Sequence, residues 1–282
     1  MHVFETPGSV SLQVKLPSGR VVVTTADQPR TTVEVVALGR RGHDAIDQIA
    51  VSMEERQGRS VVRIEQRDKF RWGPIQISWG GDYECRIACP PGTDLDLAGG
   101  STDLRSDAEL GDVSVRTASG DVRLGSNGGD LQVKTASGDV AVGAITGEAS
   151  LVTVSGDLAV ERVEASTTAR SVSGDVTIGA VAGEVGLSTT SGDVDLKSVL
   201  NGEVRVQTVS GDVRIGVARG TRVWIDAVSV SGELGSELGL EDQRTAAEAD
   251  SVDSSDSSVV PLHVKTVSGD VAIVRAAEVV ST

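Results

Sequence analysis

The sequence predicts an all-β protein, a β-solenoid (β-helix) of roughly 18-residue coils preceded by an irregular β cap section. Three observations carry the prediction. Ser-Gly-Asp-Val, or a close variant, begins at Ser119, Ser137, Ser155, Ser173, Ser191, Ser210, Ser231 and Ser268, at intervals of 18, 18, 18, 18, 19, 21 and 37. Between these corners aliphatic residues alternate with polar ones, the period of a strand. The composition, 2% aromatic with 33 Gly in 282 residues, lacks an ordinary aromatic core but suits narrow aliphatic β cores with tight corners.

Residues 1–97 lack the period and form the predicted cap. Strand-like runs are Val10–Leu16, Val21–Thr25, Thr32–Leu38, Val61–Gln66, Ile75–Trp79 and Tyr83–Cys89. Pro7, Pro17, Pro29, Pro74 and Pro90-Pro91 mark turns or strand ends, and Asp44–Ile49 reads as a single helical turn. Five of the six aromatics fall here: Phe4, Phe70, Trp72, Trp79 and Tyr83. Phe70-Arg71-Trp72, beside Arg63, Arg67 and Lys69, reads as edge packing of the cap. Cys85 and Cys89 share a strand face but lie about 13 Å apart, too far to bridge, so both are expected to be core thiols.

Residues 98–282 form the predicted regular solenoid. In the longer strand of each coil the inward pairs include Val113/Val115, Leu131/Val133, Val204/Val206 and Leu262/Val264. After Ser-Gly-Asp they include Val122/Leu124, Val140/Val142, Val176/Ile178, Val194/Leu196 and Val213/Ile215. Arg116, Lys134, Arg170 and Lys265 have the opposite parity and face water. A second corner carries Gly plus an acid, as in Gly129-Asp130, Gly147-Glu148, Gly183-Glu184 and Gly202-Glu203, preceded by an apolar column of Ile145, Val163, Val181, Val199 and Val217. Five or six buried aliphatic side chains cannot offset the ordering of eighteen residues, so a coil stands only when stacked.

Three columns run through the Ser-Gly-Asp corner. Asp121, Asp139, Asp157, Asp175, Asp193, Asp212 and Asp270, with Glu233 at the equivalent place, form a structural corner ladder. They read as solvated acids, because the coils lack the glycine-rich carbonyl cradle of a calcium-binding solenoid. The Gly beside each acid is expected to supply positive φ. Thr117, Thr135, Thr153, Thr189, Thr208 and Thr266 share parity with the buried valines, so their hydroxyls are expected to bond between coils inside. The intervening column is Ala118, Ala136, Val154, Val172, Thr190, Val209, Val230 and Val267. Its parity is outward. A narrow apolar stripe along a polar solenoid is a candidate contact surface.

Two departures from the period matter. The 37 residues from Ser231 to Ser268 exceed one coil by about a coil's length, and the surplus near 239–258 reads as a disordered acidic insertion, dispensable for the fold. The coil beginning at Ser268 leaves only Arg275–Thr282 as a cap, so the sequence predicts self-association through the C-terminal coil.

The formal net charge is −15; residues 1–100 carry 12 basic and 13 acidic side chains, so nearly all the excess lies in the repeats. That argues against nucleic acid as a partner. No apolar stretch reaches the 18 or more residues of a membrane span. Met1–Pro7 has neither a basic nor an apolar leader region, and two unpaired thiols suit a reducing compartment. The expected location is cytoplasmic, without direct membrane insertion.

The Thr-Ala-Ser-Gly-Asp-Val units at 117–122 and 135–140, the start Phe4-Glu5-Thr6-Pro7 and the turn Cys89-Pro90-Pro91-Gly92 carry a resemblance over nearly all the chain. The protein resembles the bacterial β-strand-repeat domain-of-unknown-function family catalogued as "putative adhesin" and also called toastrack. The resemblance implies a β-solenoid linked to envelope-stress or regulatory systems, with no established catalytic residues. The residues themselves present no catalytic, cofactor or metal constellation. His2, His43 and His263 are isolated in sequence, with His263 expected to be a solvated surface residue beside Lys265. Trp224 is the one aromatic of the repeats. The expected function is a non-enzymatic interaction scaffold with a protein partner. The alternatives are a carbohydrate-active β-helix lyase or hydrolase, or a self-assembling structural solenoid.

Overall fold

The computed structural model describes residues 1–26, 28–38, 46–67, 83–238 and 259–276, and every named element among them is a strand. They fall into two compact units, Met1–Gly147 and Glu148–Thr282, so that the division lies well beyond the composition change near residue 97. The start of the predicted Asp44–Ile49 turn, the predicted strand Ile75–Trp79, the Phe70-Arg71-Trp72 patch with Lys69, the acidic insertion 239–258 and the tail 277–282 lie outside the described residues.

The first unit contains β1 (His2–Glu5), β2 (Val10–Thr25), β3 (Arg30–Ala37), β4 (Ile49–Arg56), β5 (Arg59–Gln66), β6 (Tyr83–Cys89), β7 (Thr93–Ser106), β8 (Leu110–Arg116), β9 (Val122–Asn127), β10 (Leu131–Lys134) and β11 (Val140–Ile145). β2 is one long strand where the sequence predicts two. Pro17-Ser18-Gly19 is absorbed within it, Gly19 taking φ 99°, and it runs parallel to β7 from Ser11 opposite Asp94 to Val23 opposite Ser106. Its other edge pairs in parallel with β5 and then β6. Beyond these the chain turns back. β4 runs antiparallel to β5 through Gln57-Gly58, at φ 52° and 76°, the two-residue turn whose twist matches a hairpin. β3 runs antiparallel to β6, and β1 antiparallel to β3. On the far side of β7 the stack is parallel: β8 on its first half, β9 on its second, then β10 on β8 and β11 on β9.

The inward face of β6 holds Tyr83, Cys85, Ile87 and Cys89, all buried. Both thiols are free. Burial pushes Cys85 up to about 12 and Cys89 up to about 11, and the Cys89 thiol donates to the Thr24 carbonyl at 3.8 Å.

The second unit begins with β12 (Ala149–Val152), β13 (Leu158–Val163), β14 (Thr167–Arg170), β15 (Val176–Val181), β16 (Val185–Thr189), β17 (Val194–Val199), β18 (Val204–Thr208) and β19 (Val213–Val217). β12, β14, β16 and β18 stack in parallel on one side, with Thr167 opposite Ala149 and Val185, and Val204 opposite Val185. β13, β15, β17 and β19 stack on the other. The predicted inward residues of these strands are buried, as are Val163, Val181, Val199 and Val217 at the corner. The 19-residue interval resolves into a four-residue corner, 200–203, in place of three, with Gly202 at φ 87°.

The last two coils are not in chain order. β20 (Val223–Ser231) and β21 (Leu234–Ser236) pair with β22 (Val260–Ser268) and β23 (Val271–Arg275). β22 and β23 in turn pair with β18 and β19. The coil latest in sequence therefore sits between two earlier ones. This corrects the expectation that the C-terminal coil leaves an open edge. Both edges of β22–β23 are paired, and Leu262 and Val264 are fully buried.

Candidate interaction surface

Five of the Ser-Gly-Asp corners are fixed by a hydrogen bond within their own coil. Thr117, Thr135, Thr153 and Thr189 accept through Oγ1, and Ser171 through Oγ, from the N–H of the Gly three residues on, at 2.8–3.1 Å. The sequence expectation placed these hydroxyls between coils, and Thr117 Oγ1 does donate to the Gly100 carbonyl one coil away at 3.2 Å. The within-coil bond is added by the turn itself, which brings the Gly N–H back over the side chain that starts it. In the two coils flanking the chain-order change, Gly211 and Gly269 instead donate to the carbonyls of Ser268 and Ser231, at 3.2 and 3.3 Å. Thr208 and Thr266 Oγ1 there are buried without a partner.

The expected positive φ is found at two of these corner glycines, Gly211 at 150° and Gly269 at 151°, whereas Gly138 and Gly192 do not take it. A Cβ on Gly138 would instead enter the carbonyl oxygen of Gly120 one coil away, and one on Gly192 that of Gly174. The corner needs hydrogen because the backbones of successive coils touch there.

The acids are exposed but engaged. In the first unit Asp121 N–H donates to Asp103 Oδ1 and Asp139 N–H to Asp121 Oδ1, each at 3.2 Å. In the second, Asp157, Asp175, Asp193, Asp212 and Asp270 each accept, through Oδ1, the N–H of the next acid in the stack at 2.8–2.9 Å. The final donor is Glu233, reached after Asp270, which repeats the coil order found in the sheet. The expected solvated acids are thus a structural ladder in which Oδ1 holds the next coil's backbone, and Asp121 also pairs through Oδ2 with Arg123 at 3.3 Å. The second corner of the first unit does likewise through Asp94, Asp112 and Asp130.

All eight residues of the predicted stripe are exposed. Val154 is 47% exposed, Val172 45%, Val209 50%, Val267 49% and Val230 77%, high values for valine in a strand protein. Ala118 and Ala136 lie in the first unit, with Ser137 N–H bonded to the Ala118 carbonyl at 2.9 Å. In the second unit Ser173 N–H meets the Val154 carbonyl, Ser191 that of Val172, Ser210 that of Thr190 and Ser268 that of Val209, at 2.8–2.9 Å. Six stacked positions at strand spacing make a strip about 24 Å long. On one side it is bordered by the exposed basic residues Arg170 and Lys265, on the other by the Asp ladder. In the first unit Arg116 and Lys134 take the basic position.

One cluster escaped the sequence reading. His263 is not a solvated residue beside Lys265. Its Nδ1 lies 3.4 Å from Asp226 Oδ2 on β20, and its Nε2 lies 3.6 Å from Glu203 Oε1 at the start of the β18 coil. Trp224 meets its ring edge-on at 5.1 Å, and Arg205 pairs with Glu203. Residues 203, 226 and 263 look unrelated until β22 is placed between β18 and β20. Among the described residues no three His, Cys, Asp or Glu are placed to hold a metal ion, and no helix is long and apolar enough to cross a membrane.

The family model Toastrack DUF4097 matches residues 10–274. Among solved structures, the chain is similar to a "putative adhesin" from Bacteroides fragilis NCTC 9343, with 13% identity, a TM-score of 0.43, and 96% of this chain and 95% of that one covered. It is also similar to a "putative cell adhesion protein" from Clostridium sporogenes ATCC 15579, with 8% identity, a TM-score of 0.23, and 97% and 98% covered. No curated protein matches.

Proposed function

We infer that this chain, which belongs to the Toastrack family, is a non-enzymatic interaction scaffold that holds an extended segment of a protein partner along the valine strip of its second unit. The observation that carries the reading is the strip itself. Val154, Val172, Val209 and Val267 stand about half exposed in register, on a backbone whose corner polar groups are satisfied by their own neighbours. A partner fitting it presents apolar side chains flanked by acids toward Arg170 and Lys265 and by bases toward the Asp ladder. The corner acids have a structural occupation, which supports a scaffold over a carbohydrate-active enzyme. The buried, unbridged thiols of Cys85 and Cys89 support a reducing, cytoplasmic setting. The family resemblance suggests bacterial envelope-stress or regulatory systems as the context.

The test is a photo-crosslinking residue at Val172, compared with one at the exposed Lys197, in the native host. A discrete adduct at position 172 alone, lost when Val209 is replaced by Asp, is the expected result. Identical patterns at both positions, or an adduct indifferent to Val209→Asp, would sink the proposal.

A further inference from the structure

We propose that the segment held along the valine strip is a polyproline-II helix whose sequence repeats every three residues, one apolar, one acidic and one basic. The proposal rests on the interaction reading above and adds the conformation and the sequence pattern of the segment.

The pitch of the strip selects the conformation. Val154, Val172, Thr190, Val209 and Val267 stand at successive levels, linked by the corner hydrogen bonds between them. Levels are about 4.8 Å apart, so two of them rise about 9.6 Å. One turn of polyproline II, three residues at about 3.1 Å each, rises about 9.3 Å. Every third residue of such a helix therefore stays within about 1 Å of every second gap between levels, over the whole strip. A β-strand presents one face about every 6.7 Å and is out of step by about 2 Å at its second contact. An α-helix gains about 5.4 Å per turn and drifts by about 3 Å over five levels.

The corner backbone selects the same conformation. Around Val172 and Thr190 the N–H groups of Ser173 and Ser191 are held by carbonyls of the preceding level. Those of Gly174 and Gly192 are held by the hydroxyls of Ser171 and Thr189, and those of Asp175 and Asp193 by the ladder. A β-strand laid along the strip gains no hydrogen-bond ladder from these occupied donors, and its own backbone loses water without replacement. Polyproline II makes no internal hydrogen bonds and keeps its backbone solvated, so it docks through side chains alone. The surface then fixes the pattern. Three columns face the segment: exposed valines in the middle, Arg170 and Lys265 on one side, and the exposed ladder acids on the other. A helix of three residues per turn carries three rows of side chains. Matching row to column gives the repeat, with the apolar row on the valines, the acidic row toward Arg170 and Lys265, and the basic row toward the acids.

The experiment titrates the full chain with three synthetic peptides and follows the methyl signals of the strip valines by NMR, which reads the weak binding that so small a surface gives. The probes are four repeats of Pro-Glu-Lys, a scramble of the same residues, and three repeats of Val-Lys-Val-Glu, which alternates as a strand does. The Pro-Glu-Lys peptide should bind roughly tenfold more tightly than either of the others, and added salt should weaken it by screening the two charged columns. Val172→Asp or Val209→Asp should weaken it roughly tenfold, because each sets a charge against the apolar row. The milder Val172→Ser should weaken it measurably, and Lys197→Ala on β17 should leave it unchanged. Equal binding by the scramble, tighter binding by the alternating peptide, or no binding by Pro-Glu-Lys overturns the proposal. So does a host adduct at position 172 that maps to a partner segment without a period of three, and that result leaves the scaffold reading intact. Selective binding of Pro-Glu-Lys with no host adduct at position 172 counts against the scaffold reading alone.

Discussion

Gly138 is a matter of space and Gly58 a matter of conformation, and the two are separable by the same substitution. Gly138→Ala drives a methyl into the Gly120 carbonyl, and neither backbone can retreat without opening the stack. It should cost about 2–4 kcal/mol. Gly58 has φ 76°, and a methyl added there would meet nothing within 4 Å, so Gly58→Ala should cost about 1 kcal/mol. Equilibrium urea unfolding measures both, and equal costs would contradict the close-approach account. The ladder makes a second prediction of opposite sense. Asp175→Asn retains an Oδ1 acceptor for the Asp193 N–H and removes a charge that repels each neighbour by roughly 1 kcal/mol in water before screening. It should leave stability unchanged or raise it by up to about 1 kcal/mol. Asp175→Leu removes the acceptor and should cost about 1 kcal/mol. At this scale the sequence displayed where every acid, glycine and threonine stands, because the period marks them. It did not display their roles, since whether a hydroxyl bonds along its coil or across to the next depends on a turn geometry that leaves no trace in spacing.

The strand β6 gives the pH dependence. Its two thiols have pKa values of about 12 and 11 when folded, because burial disfavours the thiolate, against roughly 8.5 for an exposed thiol. The folded protein thus holds protons that the unfolded chain has released. Stability is full below about pH 8.5 and falls as pH rises through the folded values. Urea midpoints between pH 8 and 11 should fall less steeply in Cys85→Val and Cys89→Ala than in the unaltered chain. At pH 8 a thiol reagent should modify neither cysteine faster than the protein opens. Modification at the rate of a free thiol would show that β6 is not buried. Among the strands, those with one wet face were legible from alternation alone. β4 was missed because its exposed end, Ser52–Arg56, is polar apart from Met53, lacks period and is held by pairing to β5. β2 was divided because Pro17-Ser18-Gly19 carries ordinary turn chemistry, which two parallel neighbours override.

For the whole molecule, the interleaving of β22–β23 predicts complementation. A chain ending at residue 238 lacks the level between β18–β19 and β20–β21, and a peptide of residues 259–276 added in trans should bind it and raise its melting temperature by several degrees. A peptide with Leu262→Asp and Val264→Asp, which buries charge in the core, should do neither. Stabilisation by both peptides equally would argue against intercalation. The coil count was legible in the sequence, yet the coil order was not, since the corners present nearly the same Ser-Gly-Asp or Ser-Gly-Glu and the repeat carries no mark of which coil stacks on which. That interchangeability has a consequence during synthesis. A ribosome adds about 5–20 residues per second, so the roughly 40 residues between Ser236 and Ala276 take about 2–8 s to appear. Throughout that interval β20 and β21 exist without their eventual neighbour, while β18 and β19 offer a chemically equivalent one. The nascent chain passes through a period in which a solenoid one level short is the best structure it can make, and the finished order must displace that premature one or be reached by avoiding it.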